Sequence, residues 1–104
     1  MSTPEILAEI KRRVAAVDPT AQVVLYGSYA RGEQGPESDI DLLILVEKEK
    51  IDLDQQRSIT HPLYDLEIAS GIMISPRVVT KKEWLNRLVV TPFFLNVQRE
   101  GITL

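Results

Sequence analysis

The sequence predicts a small α/β (α+β) fold, a three-stranded sheet packed against helices. Three observations carry that expectation. Two short apolar, β-branched runs, Gln22–Tyr26 and Asp39–Val46, alternate with segments whose apolar residues recur at helical spacing. Proline and glycine fall at the joints between them. The chain has 104 residues, and area scaling takes such a chain from about 17,000 Å² unfolded to about 6,000 Å² folded. That is room for one core, so residues 1–104 are expected to form a single domain.

Thr3-Pro4-Glu5 opens the first helix, with Thr3 able to cap it and Pro4 suited to its first position. Ile6, Leu7, Ile10, Val14 and Val17 follow at helical spacing, and Asp18-Pro19 ends the run. Gln22–Tyr26 reads as a strand. The glycines and proline of Gly27–Glu37 predict a loop with one helical turn at Tyr29–Glu33. Asp39–Val46 is apolar throughout after its first residues, which predicts a central strand covered on both faces. Glu47–Lys50 is a charged link. Leu53–Ser70 reads as helix up to Gly71, and His61-Pro62 predicts a kink or a split into two helices. Ile72–Thr80 is a third strand, with Pro76 favouring an edge or a bulge. Lys81–Leu88 is a helix with a capping-box pattern in Thr80 and Glu83. Thr91-Pro92 starts the last helix, which runs to about Arg99 before Gly101.

Composition removes several classes of function. Lys plus Arg is 12 and Asp plus Glu is 15, a formal net charge of −3. General nucleic-acid binding needs an excess of cations to neutralise phosphates, so it is not expected. With no cysteine, disulfides, thiolate nucleophiles and Cys-ligated metals are excluded. No apolar run approaches the ~20 residues of a membrane span, and Met1–Glu5 lacks the character of a signal peptide. A cytoplasmic protein without membrane contact is expected.

One stretch carries chemistry. Gly27-Ser28 follows the first strand, and Asp39-Ile40-Asp41 comes ten residues later at the start of the second. Strand alternation puts Asp39 and Asp41 on one face, about 6–7 Å apart along the chain. Two converging carboxylates repel and lose hydration, and a divalent cation relieves both. Mg²⁺ prefers oxygen ligands, commonly one or two carboxylates plus substrate phosphates. Such a pair can also hold two ions that stabilise an in-line displacement. Gly27 lets backbone approach a ligand closely. Ser28 adds a hydroxyl at a helix start, where free N–H groups favour phosphate, and Arg31 can add a bidentate contact. The pattern describes a site for a metal-bound nucleoside triphosphate. At average residue usage it arises by chance in on the order of 1 in 1,000 chains of this length. The plainer alternative is an ordinary turn beside two solubilising charges.

These residues closely resemble the GS-x10-DxD signature of the DNA polymerase β-like nucleotidyltransferases. GSYARGEQGPESDIDLLI is similar in particular to the core of the minimal nucleotidyltransferases. The resemblance implies a mixed sheet flanked by helices, two-metal Mg²⁺ chemistry, and a nucleoside triphosphate, ATP by preference. It implies transfer of the nucleoside monophosphate to a hydroxyl. It gives Gly27 and Ser28 the triphosphate and Asp39 and Asp41 the metal; in the residue-level reading Arg31 assists at the phosphates. It also implies a helical HEPN-type protein partner in a toxin–antitoxin pair, with this chain as antitoxin.

The third carboxylate usual in that family is missing. The strand that should carry it, Ile72–Val79, has no acid, and Ser75 stands at the matching place. Asp65 and Glu67 are the nearest acids in sequence, both on a predicted helix, Glu67 on the side of Leu63 and Ser70. A base contributes about 10²–10⁴-fold, while positioning and charge neutralisation do most of the work of phosphoryl transfer. The second expectation is therefore a weak or inactive module that binds nucleotide and partner. His61 reads as structural or exposed. Trp84, Phe93 and Phe94 read as core or, alternatively, as a docking face; Lys81-Lys82 as a solvated turn; Tyr29 and Tyr64 as base-stacking or packing residues. A homo-oligomer formed over a sheet edge is a further, weaker expectation.

Overall fold

The computed structural model describes all residues, Met1–Leu104. The order is α1 Thr3–Val17, β1 Gln22–Tyr26, α2 Ser28–Arg31, β2 Ile40–Val46, α3 Leu53–Ser70, β3 Ile74–Thr80, α4 Lys81–Leu85, α5 Pro92–Glu100 and β4 Ile102–Thr103. The sheet runs β3-β2-β1-β4. β1 lies antiparallel to both β2 and β4, and β2 lies parallel to β3, so the sheet is mixed. The folded surface is 6357 Å², close to the scaling value.

Local chemistry explains where the elements begin and end. The cap of α1 is Ser2, not Thr3: Ser2 Oγ accepts from Glu5 N and Glu5 Oε1 accepts from Ser2 N, a reciprocal box that Thr3, one residue later, would not form. Asp52 and Gln55 make the same box at α3. α3 is one helix, without the predicted interruption, although Pro62 lies inside it. The carbonyl freed by the missing N–H is that of Ser58, an exposed residue whose carbonyl water can serve. Arg13 Nη1 donates to Pro62 O at 2.9 Å, pinning that turn to α1. Gly71 ends the helix in the left-handed conformation at φ 73°.

Other boundaries shift. The helical turn after β1 is Ser28–Arg31, one residue earlier than predicted. β3 begins at Ile74 rather than Ile72 and is an edge strand, which suits Pro76. α4 stops at Leu85; Thr80 caps it by accepting from Glu83 N, without the reciprocal bond. The fourth strand, β4, was not expected. Its two residues pair with Val24 and Leu25, and Leu104 N donates to Val23 O at 2.9 Å.

The sheet separates two unequal layers. Ile40, Leu42, Ile44 and Val46 of β2 face α1 and α3 in a core with Ile6, Ile10 and Leu63. Leu43 and Leu45 face the other way, against Trp84 of α4 and Val97 of α5. β2 is thus buried on both faces, as its composition predicted. No helix is long and apolar enough to cross a membrane.

Candidate active site

Asp41 is the second residue of β2 and points with Leu43 and Leu45 toward the α4/α5 layer. Its neighbours across the sheet are Tyr26 on β1 and Ser75 on β3, so the three form one row. Asp39 lies one residue before the strand, where Ile40 N donates to Met73 O. Ser75 Oγ donates to Asp39 Oδ2 at 3.2 Å. Asp39 thus reaches the Ser75 side of the row, and Asp41 lies close enough to feel its charge. Burial pushes the Asp41 carboxyl above its ordinary value, the Asp39 charge adds to this, and Arg31 opposes it.

Gly27 brings the second half of the site against the first. Its φ of 75° and ψ of −156° suit only glycine. A methyl group built on it would collide with Oδ2 of Asp41 and lie 3.3 Å from its Cγ. The bend and the carboxylate are therefore in direct apposition. Gly27 O accepts from Ala30 N and Arg31 N, so Ser28 opens a short helical turn whose first N–H groups have no helical carbonyl. Arg31, the predicted phosphate contact, is engaged elsewhere. Its guanidinium pairs with Glu100 at 2.8 Å and with Glu33 at 3.2 Å.

The donor set fits a divalent cation. Two part-buried carboxylates lie near enough for the charge of Asp39 to be felt at Asp41, and hard oxygen donors of this kind suit Mg²⁺, which takes its remaining ligands from water and phosphate. No third acid or histidine joins them. Glu67 is not that residue: its Oε1 accepts from Ile74 N at 2.7 Å, holding the start of β3 to α3, and α3 packs on the sheet face opposite to Asp41. Asp65 is exposed on α3.

The remaining candidates sort by contact. Trp84 is buried, and Phe93 and Phe94 pack against the same small core. Tyr29 packs on the larger core, whereas Tyr64 and His61 are exposed. Lys81 and Lys82 pair with Glu47 and Glu49. The sequence reading missed a cluster beside the aspartates. Phe93 meets the Tyr26 ring edge-on at 5.3 Å, and the Arg77 guanidinium lies 4.8 Å over the Phe93 ring. Burial and the Asp41 charge raise the Tyr26 phenol above its ordinary value, while Arg77 opposes them. The signal was parity: Tyr26, Ser75 and Arg77 share the strand face of Asp41, but only the register shows that they are neighbours.

A mixed sheet that presses a Gly-Ser bend against paired aspartates defines the class, and the chain belongs to the nucleotidyltransferase domain family, matched over residues 5–91. It is a nucleotidyltransferase enzyme. A relative in Methanocaldococcus jannaschii, named "Putative protein adenylyltransferase MJ0141", is 35% identical over 104 residues, covering 98% of each chain. Among solved structures, one described as a "putative minimal nucleotidyltransferase" superposes with a TM-score of 0.64 at 24% identity, covering 100% of this chain and 97% of that one. A crystal structure of a toxin–antitoxin with AMP-PNP gives 0.63 at 22% identity, covering 92% and 69%.

Proposed function

We propose that residues 1–104 form one nucleotidyltransferase domain that transfers AMP from ATP to a protein hydroxyl. Gly27 and Ser28 seat the triphosphate, and Asp39 and Asp41 hold Mg²⁺. The observation that carries this reading is the apposition of Gly27 to the Asp41 carboxylate, which leaves the phosphate bend and the paired acids sharing one space. α5 and β4, beyond the family-matched residues, pack on the same sheet and support a domain that runs to Leu104.

The chain's own residues do four things. The N–H groups and hydroxyl at Ser28 orient the polyphosphate tail. Asp39 and Asp41 would hold the Mg²⁺ beside the α-phosphate end. Ser75 holds Asp39 in place through its hydroxyl, and Arg31 is free to exchange Glu100 for phosphate oxygens. When bound, Mg²⁺ neutralises the charge that develops on the transferring group and the departing pyrophosphate. The acceptor hydroxyl bonds to the α-phosphorus, the bond to the β-phosphate oxygen breaks, and the hydroxyl proton leaves to solvent or to a carboxylate. The acceptor is a helical HEPN-type toxin in the cytoplasm, with this chain as its antitoxin; the adenylyltransferase name of the relative and the toxin–antitoxin neighbour support that choice.

Incubation with α-³²P-ATP, Mg²⁺ and a HEPN-type partner is expected to label the partner. Asp39→Asn is expected to lower the rate by at least about 10²-fold, the scale of losing one preorganised charge stabiliser. Labelling at an undiminished rate overturns the assignment. Ser75, standing where a third acid is expected, favours a second reading in which the chain neutralises its partner by binding. Protection of the partner by the Asp39→Asn/Asp41→Asn double variant would select that reading.

A further inference from the structure

We infer that Arg77, held over the Phe93 ring, is an acceptor-binding residue that selects acceptor segments carrying a carboxylate beside the reacting hydroxyl. The inference rests on the reading above, in which the triphosphate sits at Gly27–Ser28.

In-line displacement fixes the side from which the acceptor comes. The departing pyrophosphate and the attacking oxygen lie opposite one another across the phosphorus. Gly27 and Ser28 approach Asp41 from β1, on one side of β2. The opposite side is β3, whose residues Ser75 and Arg77 share the face of Asp41. Ser75 is bonded to Asp39. Arg77 is the cation on that side, exposed and in no ion pair. Contrast Arg12, Arg13, Arg31 and Arg57, each paired with a carboxylate of this chain.

Arg77 is also held rather than loose. Its guanidinium lies 4.8 Å over the Phe93 ring, and Phe93 is itself braced edge-on by Tyr26 at 5.3 Å and by Trp84 at 6.0 Å. A guanidinium held over a ring loses little further freedom on binding, and with no carboxylate of this chain paired to it, its N–H fork is left for a bidentate carboxylate. The site thus holds a fixed cation next to where the acceptor must enter.

The test uses two fluorescent pentapeptides, Glu-Glu-Tyr-Glu-Glu and Lys-Lys-Tyr-Lys-Lys, titrated onto the full chain saturated with Mg²⁺ and a non-hydrolysable ATP analogue. Calorimetry first establishes that the analogue binds; no binding there removes the nucleotide reading itself, independently of the peptides. With nucleotide bound, the wild type is expected to prefer the acidic peptide by about 10-fold, the scale of a charge-assisted pair. Arg77→Ala is expected to abolish the preference, Arg77→Lys to restore part of it, and Arg77→Glu to invert it, each with analogue affinity within about twofold of wild type. A purely structural Arg77 could not invert a charge preference. Equal binding of both peptides by the wild type, or loss of analogue affinity in Arg77→Ala, overturns the inference, the latter by assigning Arg77 to the nucleotide.

Discussion

On one face of the sheet thirteen buried side chains from β1, β2, β3, α1 and α3 interlock; on the other, five buried residues gather under α4 and α5. The larger layer presents no ionisable group among its buried members. The smaller one shares its strand face with Tyr26, Asp41, Ser75 and Arg77, and beneath α4 and α5 it leaves a cavity of about 250 Å³ lined partly by Leu43, Leu45 and Val97. The difference teaches how a short chain carries a charged site. A repulsive carboxylate pair costs stability, and the thick layer behind β2 offsets that cost from a side that the chemistry never touches.

Leu42 and Leu43 put the comparison to its strongest test, because they are adjacent, equally buried and face opposite layers. Truncating a buried leucine costs about 2–5 kcal/mol, more where the surroundings cannot close in. Leu42→Ala is expected in the upper half of that range and Leu43→Ala in the lower, measured by urea unfolding. Equal costs would break the division into a firm and a yielding layer.

Ser75→Asp sharpens it from the side of the chemistry. A carboxylate there would stand across from Asp41 and beside Asp39. It is expected to raise the rate of AMP transfer by about 10²-fold, the lower range of a general base, and to lower thermal stability without Mg²⁺. Single-turnover kinetics and melting curves with and without the cation read the two effects. A rate at or below wild type would show that proton removal does not limit this enzyme.

The smallest expected effect is on pH dependence. The folded-state pKa of Asp41 is raised above 3.8, so its contribution to stability is present below the unfolded value and is lost as pH rises through the folded one. Asp41→Asn is therefore expected to melt higher than wild type at neutral pH in EDTA, with the gap closing below about pH 4. A variant less stable than wild type at neutral pH would mean that the Asp41 carboxylate supports the fold instead of straining it.

Much of this was legible in the sequence because it is local. Alternation placed Asp39 and Asp41 on one side, Gly27 marked the bend, and the unbroken apolar run from Leu42 to Val46 marked a strand covered on both faces. What was not legible depends on residues far apart in the chain. Ile102-Thr103 is too short to show a period and becomes a strand only by meeting Val24 and Leu25. Arg31 looked available until Glu100, sixty-nine residues on, came within 2.8 Å. Glu67 is close in sequence to the strand that lacks an acid, yet it holds Ile74 N from the other face of the sheet. The Arg77–Phe93 stack needs the parallel register of β2 with β3 and the path of α5 together.

Positions 27 and 41 are locked as one unit, since any side chain at 27 would strike the oxygen at 41. Evolution cannot therefore explore them one at a time. A new methyl at 27 would meet Oδ2 of Asp41, and would do so in a left-handed backbone conformation that side chains rarely adopt. Descendants of this chain should keep both or forfeit both, and the erosion of activity along such a lineage would come as a step, not a slope.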